Sequence, residues 1–123
     1  PTGGPRGAVS GKPIRPAASY ALVVPLLAAA VRPLGYALAV HGSMCRDLDV
    51  VAVPWTAEAS PPEAVVDAVT MAVGGWRLHE GSEPAERPHG RLCYTVHFPN
   101  AKGNSLPDGH PYIDLSVLPR LPT

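Results

Sequence analysis

Cysteine is scarce in this chain, which has only Cys45 and Cys93 among its 123 residues. Two thiols without paired spacing exclude a disulfide scaffold and a cysteine-based zinc site, and they suit a reducing cytoplasm. Net charge is also lacking, because ten basic residues cancel ten acidic ones. That balance removes the broad positive field by which many proteins hold nucleic acid or an acidic membrane, and it favours a small or locally bound substrate. Gly-rich P-loop spacing, heptads and internal repeats are missing, which excludes a Walker-type nucleotide site, a coiled coil and a solenoid. The longest apolar stretch, residues 17–31, is short for a membrane span and is interrupted by Pro25. By contrast, proline and glycine are abundant, at sixteen and twelve. They cluster at the N-terminus and between apolar runs, where they mark a tail and loops.

The length suits one domain with a modest core. Residues 1–15 hold too little apolar surface to fold and read as a flexible tail, leaving 16–123 as a single domain. The stretch Ala17 to Val31 follows Lys12 and Arg15 and ends in Ala28-Ala29-Ala30, which is also the outline of an export signal. Its closing Arg32-Pro33-Leu34-Gly35 leads straight into a strand and favours a buried N-terminal helix. Tyr36 to Val40 is a short apolar strand, and Asp47 to Trp55 is a second. Ser60, Pro61 and Glu63 then read as the N-cap, first turn and capping-box position of a helix running to Val73. Val65, Val66, Val69, Met71 and Val73 form its apolar face, and Gly74-Gly75 stops it. Trp76 to His79 reads as an edge strand and Glu80 to Pro88 as a polar loop. Arg91 to Phe98 alternates as a strand, with Leu92, Tyr94, Val96 and Phe98 on one face. A polar connection, residues 99–109, leads to the last strand, within His110 to Pro119. The sum is an α+β fold, a small mixed β-sheet of about five strands with helices packed on one side.

The chemistry concentrates in His41-Gly42-Ser43-Met44-Cys45-Arg46-Asp47-Leu48-Asp49 and the apolar run that follows. Strand alternation places Asp47 and Asp49 on one face, about 7 Å apart along the backbone. Because Val50 to Val53 is an apolar run suited to the middle of a sheet, these charges call for a cation. Asp114 is a third carboxylate, alone in another apolar strand. Three such oxygens suit Mg²⁺ or Mn²⁺ rather than zinc. His41 reads either as a strand-end histidine or as a phosphate contact. Arg46 or Arg91 could add positive charge at the phosphates, and Arg46 reads equally as a salt-bridge partner of Asp47.

An apolar strand, then Gly42-Ser43, then Asp47-Leu48-Asp49, then a lone Asp114 in a later strand resembles the nucleotidyltransferase superfamily that includes DNA polymerase beta and the minimal nucleotidyltransferases. The likeness covers residues 36–118. It implies that Asp47, Asp49 and Asp114 are the catalytic, metal-binding acids. Gly42 and Ser43, joined by Arg46, would bind the nucleotide's phosphates. The implied reaction moves a nucleoside monophosphate from ATP or another nucleoside triphosphate to a hydroxyl of an RNA end, a protein or a small molecule, with release of pyrophosphate. The chain departs from the family in placing only Met44, Cys45 and Arg46 between Gly-Ser and the first Asp, where a longer helical segment is usual. That spacing, and the lack of an added helical domain, leave a second reading open: a catalytically degenerate domain serving as a nucleotide- or protein-binding module. Minimal relatives complete themselves with a partner protein or as homodimers. Either way the expected location is cytoplasmic, without a membrane.

Overall fold

The computed structural model describes residues 20–44, 47–77, 84–99 and 112–120. The expected tail, the 100–111 connection, Cys45 and Arg46 lie outside these residues. Tyr20 and Ala21 are helical, Leu22 and Val23 form a turn, and helix α1 spans Val24–Val31. The expected single helix is therefore divided before Pro25. Proline has no N–H to give, so it is tolerated in a first turn and not in a helix interior. A 3₁₀ turn, Arg32–Leu34, closes the segment at Gly35, whose φ of 90° is left-handed. Gly35 must be a glycine, because a Cβ there would lie 2.9 Å from the Ala59 Cα.

Strand β1, Tyr36–His41, pairs antiparallel with β2, Leu48–Pro54. Helix α2 spans Pro62–Ala72. Its N-cap is Pro61 rather than Ser60, and no side chain caps it. The Ser60 carbonyl instead accepts the Tyr36 hydroxyl at 2.7 Å, while its N–H donates to Leu34. Burial raises the Tyr36 phenol above its ordinary 10.0, with Arg120 pulling the other way. Glu63 does not form a capping box. It accepts a hydrogen bond from the Tyr94 hydroxyl at 3.3 Å and pairs with Arg77 at 3.6 Å.

Of the expected edge strand Trp76 to His79, Trp76 makes a single bridge to His97, while Leu78 and His79 lie outside the described residues. The described edge strand beside β4 is β3, Ala85–Arg87, within the stretch expected to be loop. A 3₁₀ turn, Pro88–Gly90, joins β3 to β4, Arg91–His97, and β5 is Tyr112–Val117. The five strands take the order β1-β2-β5-β4-β3, with β2 and β5 parallel and the other pairs antiparallel. This is the mixed α+β sheet expected.

Alternation decides which face is covered. Leu48, Val50 and Ala52 of β2, Tyr94 and Val96 of β4, and Ile113, Leu115 and Val117 of β5 are buried with Leu27 and Val31 of α1 and Val65, Val66 and Val69 of α2. Both helices therefore cover one face, and burying each such aliphatic side chain is worth about 1.5–3 kcal/mol. Among the described residues no helix covers the other face, where Ser116 is buried, Asp49, Thr95 and Asp114 are half-buried and His41 is exposed. Among the described residues no helix is long and apolar enough to cross a membrane.

The two glycines after α2 make a paired test. Gly74 is left-handed, with φ 62° and open space around it, whereas a Cβ on Gly75 would fall 2.1 Å from the His97 carbonyl oxygen. Gly74→Ala should cost about 1 kcal/mol through backbone conformation. Gly75→Ala should cost about 3 kcal/mol or more, because the bridge from Trp76 to His97 must give way. Urea unfolding of both variants measures the difference, and equal losses would contradict the close approach to His97.

Candidate active site

Parallel pairing of β2 and β5 sets Asp49 directly beside Asp114. Register partners on neighbouring strands share a face, so the two carboxylates stand abreast on the helix-free side. The same line continues to His41, opposite Asp49 on β1, and to Thr95, opposite Asp114 on β4. His41, Asp49, Asp114 and Thr95 thus form one polar row across four strands. Their backs are turned to a hydrocarbon core, since Leu48, Val50, Ile113 and Leu115 occupy the opposite face and are fully buried.

The Gly-Ser turn closes on this row. Gly42 has φ 79°, and a Cβ built on it would lie 2.7 Å from Asp49 Oδ2. Glycine is required twice over, by its left-handed backbone and by the carboxylate against it. Met44 is left-handed as well, with φ 59°, a conformation uncommon for a residue with a side chain. Left-handed residues on both sides of Ser43 make an irregular turn of the kind in which successive N–H groups converge on an anion. Gly42-Ser43 is expected at a helix start, yet it lies in the six-residue connection, 42–47, between two paired strands. The connection is too short for a helix, so any phosphate contact falls to the turn's own backbone.

Asp47 is half-buried immediately before β2, two residues from Asp49, and strand pairing does not extend back to it. Arg46 lies outside the described residues. The structure therefore brings together Asp49, Asp114 and Gly42, carries Ser43 in the same turn, and leaves Asp47 at the mouth of the strand. Among the described residues no group of three or more His, Cys, Asp or Glu side chains is placed to hold a metal ion. Two abreast carboxylates nonetheless suit a magnesium-sized cation, because Mg²⁺ is commonly held by one or two carboxylates together with substrate phosphates.

Sequence reasoning did not single out Thr95, nor the aromatic side chains one row further toward the same end. His97 is the register partner of Tyr112, and its ring lies 5.7 Å from the Tyr112 ring. Trp76 stacks on the other side of His97 at 6.2 Å, with an interplanar angle of 17°. Alternation alone places Thr95 and His97 on the polar face of β4. Their proximity to Asp114 needed the register.

No protein-family model and no curated protein matches the chain.

Like charges directly opposite on paired strands are destabilising, by a fraction of a kcal/mol up to about 1 kcal/mol. Asp49→Asn in divalent-free buffer should therefore hold or raise stability by up to about 1 kcal/mol, with the fold intact. Adding Mg²⁺ should stabilise the wild type more than the variant. Thermal unfolding with and without the ion measures both, and a strongly destabilised variant would show that Asp49 is a structural acceptor instead.

Proposed function

We propose that this domain is a metal-dependent nucleotidyltransferase that moves a nucleoside monophosphate from a nucleoside triphosphate to a hydroxyl acceptor. The observation that carries the reading is the abreast pair Asp49 and Asp114 with the Gly42 turn pressed against the Asp49 carboxylate. An acid pair alone occurs in many sheets. An acid pair touching a glycine turn puts cation ligands and backbone N–H groups within the span of one phosphate chain.

In this reading Asp49 and Asp114, with Asp47, hold Mg²⁺ or Mn²⁺. The bound cation supplies charge neutralisation on the phosphates and a lowered pKa for the acceptor hydroxyl. The chain's own part is positional. The turn Gly42-Ser43-Met44 orients the phosphates against the acids, and the apolar backs of β2 and β5 keep the two carboxylates rigid. His41 and Thr95 bound the row on either side. The transfer forms one oxygen–phosphorus bond to the acceptor and breaks the bond to the departing pyrophosphate.

A second reading, a degenerate domain that binds a nucleotide or a protein without turnover, is favoured by the six-residue connection after β1, which leaves no helix N-terminus behind Gly42-Ser43. One experiment separates them. Labelled nucleoside triphosphates are incubated with Mg²⁺ and RNA ends, a protein acceptor or small alcohols, and pyrophosphate release is followed. Asp49→Asn and Asp114→Asn should each lower turnover by at least about 10³-fold, the scale of losing a principal electrostatic group at a reacting centre. Gly42→Ala should lower it as well, by displacing the Asp49 carboxylate. Binding of a triphosphate without pyrophosphate release from any acceptor would support the binding module, and release that persists in Asp49→Asn would remove these acids from the chemistry.

A further inference from the structure

The helix-free face has a second polar end that the acid row does not use. Along β4 the residues on this face run Thr95, Cys93, Arg91, so Arg91 lies four residues, about 13 Å, from Thr95. Its partner across the β3–β4 pair is Arg87. Two arginines are thus register partners on paired strands, a pairing of like charges that is destabilising unless an anion joins them. Among the described residues neither arginine has a carboxylate partner. Among the described residues the Arg87 guanidinium makes a long 3.5 Å bond to the Glu86 carbonyl, and the buried Arg91 Nε–H meets no hydrogen-bond acceptor. A buried donor without an acceptor is costly, and its presence points to a missing ligand.

The turn between the two arginines is built to hold them. His89 and Gly90 are both left-handed, with φ 69° and 74°. A left-handed residue bearing a side chain is uncommon, and such conformations cluster where a ligand or a tight turn requires them. The Gly90 backbone rests against Pro119, since a Cβ there would lie 3.3 Å from the proline ring. The hairpin tip is thereby fixed to the chain that leaves β5.

We propose that the Arg87-Pro88-His89-Gly90-Arg91 hairpin is an anion site that takes a phosphate group. Phosphate matches the geometry because guanidinium forks bind its oxygens bidentately, and one oxygen gives the buried Arg91 Nε–H the acceptor it lacks. A phosphate between Arg87 and Arg91 also cancels their repulsion. The phosphate is that of a small phosphate ester or of a nucleic-acid strand, which present the same chemistry. In a chain of zero net charge the attraction is local to this hairpin rather than a field of the whole surface.

The test uses the full chain, ¹⁵N-labelled, in divalent-free buffer, so that its outcome is independent of the transferase reading. Inorganic phosphate, pyrophosphate and a single-stranded oligoribonucleotide are titrated separately while arginine Nε–H resonances are followed. The Arg91 Nε–H signal should move saturably. Arg91→Lys keeps the charge but removes the fork, and should weaken binding on the order of tenfold. Arg87→Gln, at an exposed position, should weaken it to a similar extent without touching the core. Equal or weaker binding of the oligoribonucleotide relative to pyrophosphate identifies a small ester as the ligand, and tighter binding identifies a strand. No saturable shift with any of the three, or unchanged affinity in both variants, overturns the site.

Discussion

Parallel pairing of β2 with β5 is the constraint on which the rest of the structure depends. Two parallel strands cannot be joined by a short turn, so the chain must leave β2 and return through a long crossover. Here that crossover is α2, then β3 and β4, and it returns β5 to the middle of the sheet. Because both central strands are flanked, their inward residues Val50, Ala52, Ile113 and Leu115 are fully buried. The register that seals this hydrocarbon also sets Asp49 beside Asp114. Core packing and the acid pair are two faces of the same pairing.

A sheet covered on one side divides its labour by face. The covered side supplies the cohesion, through aliphatic contact with α1 and α2. The open side is relieved of core packing and carries the polar residues: His41, Asp49, Asp114 and Thr95 at one end, Arg91 and Arg87 at the other. The zero net charge of the chain therefore conceals a separation of sign along the open face. Opposite charges about 13 Å apart do not neutralise each other by contact, given the strand rise per residue. The two ends therefore differ in sign, with carboxylates at one and guanidinium groups at the other.

Backbone conformation reinforces this division. The side-chain-bearing residues with positive φ are Met44 and His89 among the described residues. One lies in the turn that presses Gly42 on Asp49, and the other in the turn between Arg87 and Arg91. Strain of this kind persists only where the surrounding structure holds it. Here β1–β2 pairing holds the first turn, and contact of Gly90 with Pro119 holds the second.

The residues by themselves determined the periodic part of this protein. Alternation in Leu92, Tyr94, Val96 and Phe98 and in Leu48 and Val50 sorted the side chains of those two strands by face, and Gly35 and Gly74-Gly75 marked where helices end. The element order and the mixed sheet followed from that local pattern. The cap of α2 was misplaced because Tyr36, distant in sequence, claims the Ser60 carbonyl, and Glu63 turns to Tyr94 and Arg77. The edge strand Ala85–Arg87 was read as loop because it is too short and polar to show a period of its own. Register was decided by the tertiary structure alone. Sliding β5 along β2 by two residues leaves every side chain on its own face, so alternation is blind to it. Such a slip would carry Asp114 about 7 Å from Asp49. The observed register, which buries Val50 and Leu115 in the shared core, is the one that joins the two acids, and the β3–β4 hairpin makes register partners of Arg87 and Arg91.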